Sequence, residues 1–356
     1  MRRRFLLILP LLLIIVGIGM VTFKLSPFSP QANLPESLNA SKELLNKGQY
    51  DSAIFFAKRI IEISKNPVNL SYANSIIGYS WFELENLDSS YFYYTKAIEN
   101  KEKSNPSLIA GAYNMVGLIF EKKQTHGAAI KYFKEAIDIY EKANSKRLPV
   151  VYYNLAYNQS QSDNIDCIKS YYKALEYASK FEDLKYESYC LADLGNLMLE
   201  TKNFEAAKEY FVESLDNEYA KNNPRRKAFA LQGLGETEYF LKDYSSAKIH
   251  ALEVLKLKRE NNIEEHLFTS YYLLGRIYRD TDDLIEAENN LKRALIYYHN
   301  NKRNKKSVNV FKDLSDVQFK LGKTNQAEYH NQLHYEELER MLNERKEAYQ
   351  LSKVAI

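Results

Sequence analysis

Apolar and small residues recur along this chain with a fixed period. Gly78, Gly117, Ala156, Gly195, Gly235, Gly275 and Ser315 stand 39, 39, 39, 40, 40 and 40 residues apart. A second small set, Ser90, Ala129, Cys167, Ala207, Ala247, Ala287 and Ala327, follows each of these after eleven or twelve residues. An apolar residue precedes each member of the first set, as in Leu194-Gly195 or Leu274-Gly275, and further apolar residues such as Leu191 and Leu231 lie three positions earlier. Spacings of three and four place these on one helical stripe. A polar turn such as Thr201-Lys202-Asn203 follows, and then a second stripe, as in Ala129, Phe133 and Ala136 or Ala207, Phe211 and Ser214. Each unit therefore reads as a helical hairpin, and a repeat of this length predicts a stacked array. Glycine inside a helix costs about 1 kcal/mol relative to alanine, so its recurrence predicts close helix packing there. One hairpin cannot bury its stripe alone, and neighbours must share a core.

The Leu-Gly pair, followed by Ala, Phe four later and Ala seven later, resembles the tetratricopeptide repeat. The resemblance covers roughly residues 34 to 335 as eight units, with weaker ends: Ser41 holds the glycine place in the first, and Asn331 and His334 depart from the pattern in the last. Atypical ends suit capping repeats. The period exceeds the usual 34 residues, and the repeat-terminal proline survives at Pro67 and, less in register, at Pro106, Pro149 and Pro224. The longer-period variants are the nearer match. The resemblance implies an all-α, right-handed superhelical solenoid of about eight hairpins, in a bacterial membrane-anchored protein.

The N-terminus changes this picture. Residues 5–23 carry no charge and follow Arg2, Arg3 and Arg4; as a helix they would span roughly 28 Å, close to the hydrocarbon core. The expected organisation is a signal anchor at 1–24, a Pro-containing linker at 25–33, the repeats at 34–335 and a C-terminal capping helix at 336–356. The three arginines predict an N-terminus in the cytoplasm and repeats facing the periplasm or exterior. Cleavage near Gly17-Ile18-Gly19 would instead release a secreted protein.

Formal net charge is +3, and Arg2, Arg3, Arg4 and Lys24 account for all of it. A near-neutral body gives no case for nucleic acid. Two basic runs, Arg225-Arg226-Lys227 and Lys302 to Lys306, read as solvated connectors, with an anionic membrane or acidic partner as the alternative. Cys167 fills a small-residue place and reads as a buried thiol.

Catalytic constellations are not legible. Gly233-Leu234-Gly235 falls inside a helical stripe, so it reads as packing and not as a phosphate loop. His330 and His334 have metal-capable i, i+4 spacing, but no further ligand can be named. The expectation is no enzyme, no cofactor and no metal. The aromatic content, with 29 Tyr, supplies the remaining signal. If the resemblance holds, first helices line the inner face, and the facing positions include Tyr72, Tyr79, Phe82, Asn114, Tyr153, Tyr157, Asn196, Tyr239, Tyr272, Arg276, Arg279 and Asp316. Tyr and Arg are favoured interface anchors. The expected function is a membrane-anchored scaffold holding a protein or peptide in the concave groove; the alternatives are an extracytoplasmic peptide-sensing regulator and, behind it, a metal-dependent enzyme.

Overall fold

A computed structural model describes residues 33–354, apart from 100, 163 and 299–304. The described residues form seventeen α-helices and one short 3-10 turn, Lys101–Lys103. The chain divides into two compact units, residues 1–167 and 168–356. The first contains α1 (Leu34–Asn46), α2 (Tyr50–Ile63), α3 (Pro67–Glu83), α4 (Leu87–Ile98), α5 (Pro106–Lys122), α6 (His126–Lys142) and α7 (Leu148–Ser160). The second contains α8 (Cys167–Phe181), which opens at the boundary, then α9 (Leu184–Glu200), α10 (Phe204–Asp216), α11 (Glu218–Lys221), α12 (Pro224–Phe240), α13 (Tyr244–Glu260), α14 (Leu267–Asp280), α15 (Leu284–Ile296), α16 (Lys305–Lys320) and α17 (Thr324–Val354).

Within the first unit α1/α2, α3/α4 and α5/α6 pack as hairpins; in the second, α9/α10, α12/α13, α14/α15 and α16/α17 do so. Each second helix also packs on the first helix of the next hairpin. The small residues act as the repeat pattern requires, with one refinement. What crowds Gly78, Gly117, Gly195 and Gly275 is a large side chain sixteen residues on; at Gly235, where Ala251 holds that place, a Cβ would meet nothing closer than 3.4 Å. A Cβ on Gly117 would lie 2.5 Å from the Phe133 ring, and one on Gly78 would lie 2.9 Å from Tyr94. Phe211 is fully buried and serves two helices at once, since a Cβ on Gly195 or on Gly233 would meet its ring at 2.9 or 2.2 Å. Gly233 is thus a packing element.

The hairpin turns repeat as strictly as the stripes. Glu85, Gln124, Lys202, Lys242 and Asp282 each stand seven residues after the small position and adopt positive φ, and Gly48 and Gly322 do the same in the end repeats. The next residue donates back to the carbonyl five residues earlier, as in Asn86 to Trp81 at 2.9 Å and Asp243 to Glu238 at 2.9 Å. This closes each first helix with a left-handed C-terminal cap. The prolines open first helices: Pro67, Pro106 and Pro224 occupy the first helical position behind the capping side chains of Asn66, Asn105 and Asn223, where the missing N–H costs nothing.

Two expectations are revised. The helix expected to begin at 336 is continuous with the last hairpin, since α17 runs unbroken from Thr324 to Val354. Arg225, Arg226 and Lys227 lie in the first turn of α12 and not in a connector. Residues 5–23 lie outside the described residues, among which no helix is long and apolar enough to cross a membrane.

Candidate functional site

The expected facing positions fall in both units. In the first, Tyr72, Tyr79 and Phe82 lie half-buried on α3, with the Lys122 ammonium 4.4 Å from the Phe82 ring centre. On α5, Asn114 accepts a 3.1 Å hydrogen bond from Asn154 of α7. Asn158, one turn on, donates to Glu121 at 2.6 Å and meets His126 at 2.9 Å. This ladder of amides ties the first helices together. Tyr153 and Tyr157 lie half-buried on α7.

The second unit brings its expected residues to open space. First helices contact in sequence, α9 to α12, α12 to α14 and α14 to α16, and two cavities lie along them. The larger, about 620 Å³, is lined by residues of α12, α14 and α16 that include Glu236, Tyr272, Arg276, Arg279, Lys312 and Asp316. The smaller, about 360 Å³, is lined mainly from α12, the end of α13 and the connector that follows it, with Asn196 of α9, Arg226, Gln232, Lys258 and His266 among its residues. Glu236 and Thr269 line both, so the cavities adjoin.

A polar network forms one wall of the larger cavity. Tyr239 donates to Asp280 at 2.5 Å and Tyr272 donates to Asp313 at 2.7 Å. Arg279 bridges the two carboxylates, donating from Nε to Asp280 at 2.8 Å and from Nη1 to Asp313. Burial, together with the Asp313 charge, raises the Tyr272 hydroxyl well above its ordinary value, so it remains a donor. Burial raises the Asp280 carboxyl, but the hydrogen bonds from Arg279 and Tyr239 outweigh it and hold the group below its ordinary range. Arg279 is therefore a fixed structural cation.

Arg276, one turn earlier on α14, differs. Its guanidinium carbon stands 4.1 Å from the Tyr239 ring centre, 5.2 Å from Phe240 and 5.6 Å from Tyr272. No ion pair engages it among the described residues. Stacking fixes the plane of the group and leaves its N–H donors available to an acceptor in the cavity.

Of the expected positions in this unit, Tyr272, Arg276, Arg279 and Asp316 line the larger cavity and Asn196 the smaller; Tyr239 is buried beneath, 8% exposed. Sequence reasoning missed Asp313 and Lys258. Lys258 lies on a second helix, and its register alone does not mark it. It stands eleven residues after the small residue Ala247, a place held in other repeats by buried Tyr140, Ala178 and Tyr298 and by exposed Lys101 and Glu218.

The histidine pair does not form a joint site. His330 meets Gln318 at 2.8 Å, and His334 meets the Val308 carbonyl at 3.2 Å. No cluster of three or more potential metal ligands occurs among the described residues. Cys167 and Cys190 are both buried.

Stacked hairpins with small residues at the crossings define an α-helical repeat protein. The tetratricopeptide repeat profile matches residues 110–142 and 268–295, the α5/α6 and α14/α15 hairpins, so the chain carries tetratricopeptide repeats. A comparison with curated proteins found no match. Among solved structures, the apo form of RapI is similar at 14% identity and a TM-score of 0.65, covering 87% of this chain and 98% of that one. The apo quorum sensor NprR from B. thuringiensis matches at 14% identity and a TM-score of 0.63, covering 85% and 86%. A signal transduction ATPase with a tetratricopeptide repeat sensor, from Pyrococcus horikoshii, matches at 18% identity and 0.63, covering 89% of this chain and 50% of that one. These likenesses establish the all-α repeat fold.

Proposed function

We propose that the chain is a non-catalytic scaffold whose second unit holds an extended polypeptide along the first helices α9, α12, α14 and α16. The observation that carries this reading is the pair of adjoining cavities, with the Arg276 guanidinium stacked on Tyr239 and, among the described residues, in no ion pair at the wall of the larger. An extended chain presents acceptors and side chains in a row, and rigid aromatic and Arg anchors suit it at low entropic cost. Residues 5–23 would anchor the protein in a membrane, with the repeats outside the cytoplasm.

The test is selection from a pooled library of random dodecapeptides against the full chain in detergent, followed by titration of an enriched peptide. Binding that falls at least tenfold in Arg276→Ala, with the helical signal retained, supports the reading. A library with no enriched peptide, or enriched peptides indifferent to Arg276, overturns it.

A second reading, a peptide-responsive regulator, draws on two similar structures, the quorum sensor NprR and the signal transduction ATPase with a repeat sensor. It predicts a change in small-angle scattering when an enriched peptide binds; an unchanged profile leaves only the scaffold.

A further inference from the structure

The last hairpin of the second unit departs from the repeat it belongs to. In a stacked array each hairpin covers a face of the one before it, and a terminal repeat keeps a polar outer face toward water. The α12/α13 hairpin shows what covering means. A Cβ on Gly235 would stand 3.4 Å from Leu273 of α14. Tyr239 is 8% exposed and donates to Asp280 of α14, and Leu255 packs half-buried in a cluster with Leu273 and Leu274.

Ser315, Phe319 and Tyr335 hold the same three places two periods on, in α16 and α17. Among the described residues no helix follows to cover them. Phe319 is 69% and Tyr335 64% exposed, and an open cavity of about 620 Å³ has Ser315, Phe319, Ala327 and Asn331 among its lining. Asn331 suits a capped end, but two large rings at covering positions do not. The first helix of the array is different: α1 exposes Glu36, Asn39, Lys42, Glu43 and Asn46.

The length and charge of α17 supply a second, independent observation. Its packing on the last core ends with Leu338 and Met341, yet the helix continues to Val354, about 20 Å farther at 1.5 Å per residue. Leu342, where this overhang begins, is 53% exposed. From Glu328 to Glu339 the sequence holds four carboxylates and no Lys or Arg; from Arg340 to Lys353 it holds four cations and two carboxylates. A second copy of this helix laid parallel would set like charge on like, whereas an antiparallel copy sets the acidic half against the basic half.

We propose that this end of the second unit is a homodimer interface, in which two copies meet about a two-fold axis with their α17 helices antiparallel, each overhang covering the open face of the other. A two-fold contact uses the same patch on both copies and must be self-complementary, as the sorted charges of α17 are. Head-to-tail stacking on α1 would instead press the Phe319 and Tyr335 rings on a polar face. With the axis at Leu342, Glu339 of one helix lies level with Arg345 of the other, and Tyr335 level with position 349.

The experiment is size exclusion with light scattering on the full chain in detergent, with the detergent mass subtracted. The proposal predicts two chains per particle at micromolar concentration, and one chain for Leu342→Glu with the helical signal unchanged. Glu339→Lys alone is expected to weaken the dimer about tenfold, because it sets like charges together, and Glu339→Lys with Arg345→Glu to recover most of that loss, which a folding defect would not do. Leu342→Cys is expected to form a disulfide between copies under mild oxidation, since a two-fold axis sets this position opposite itself. Ile249→Cys, at a position 62% exposed on α13, is expected to form none. One chain per particle in the parent, or two chains that survive Leu342→Glu, would overturn the proposal. So would a Leu342→Cys variant that crosslinks no faster than Ile249→Cys.

Discussion

Gly117→Ala and Gly127→Ala, two changes within one hairpin, are expected to shift stability in opposite directions. A Cβ on Gly117 would lie 2.5, 2.7 and 2.8 Å from three carbons of the Phe133 ring, whereas one on Gly127 would have no atom within 4 Å. Ordinary carbon contacts lie near 3.5–4.0 Å, so the ring must retreat by about 1 Å. Phe133 is fully buried, as are Ala129 and Ala136 on the same stripe, and overpacking of this kind costs about 1–3 kcal/mol. The substitution also gains about 1 kcal/mol of helix propensity, leaving Gly117→Ala destabilised by up to about 2 kcal/mol. Gly127→Ala has only the propensity term and gains a few tenths to about 1 kcal/mol. Urea denaturation of the two variants beside the parent measures both. Adding Phe133→Leu to Gly117→Ala is expected to cost less than the sum of the single changes, because the smaller side chain vacates the contact. A Gly117→Ala variant as stable as the parent would refute the packing argument for the whole repeat register.

The turns offer a second test: Glu85 and Lys202 hold φ of 59° and 62°, which costs an L-residue about 1–2 kcal/mol, so Glu85→Gly and Lys202→Gly are each expected to raise stability by about 0.5–1 kcal/mol in thermal melts. Lys258 should mark the pH profile, since burial lowers its ammonium to about 8 and Glu265 only partly opposes this. Unfolded lysine titrates near 10.4, so the unfolded chain binds more protons between these values and stability rises from pH 8 to about 10. The charge penalty is complete below pH 8, and Lys258→Met is expected to stabilise the protein there by about 1–3 kcal/mol and to flatten that rise in denaturation measured across pH. His250 acts oppositely: its hydrogen bond to buried Glu238 raises it despite burial, so its contribution is present below its unfolded value near 6.5 and is lost as pH rises through the raised value. His250→Gln should remove that loss from the same denaturation series.

Hairpins, their period and their small-residue crossings were legible because packing writes them into the sequence at every repeat. The register carried more than was taken from it. Glu238 with His250 and Gln318 with His330 form the same contact between first and second helix, twelve residues apart, and His250 and His330 differ by two 40-residue periods. Reading His330 against His250 identifies a repeat contact where spacing to His334 had suggested a metal pair. The identity of Lys258 was visible, but its burial was not, since the same register place is buried in some repeats and exposed at Lys101 and Glu218. Asp313 escaped because it lies off the mapped facing positions and reaches the cavity wall through Arg279 and Tyr272. The period of the first small set runs through the boundary between the two units, where the sole irregularity is the eleven-residue step from Ala156 to Cys167.

The central claim is that a polypeptide lies along the first helices of the second unit. The direct measurement is photo-crosslinking of a library-selected peptide carrying a benzophenone, with the attachment sites on the full chain mapped by mass spectrometry. Attachment confined to residues lining the two cavities, Thr269 at their junction among them, is the predicted result. Attachment to the exposed faces of the second helices, such as at Ile249 on α13 or Ile285 on α15, would contradict it.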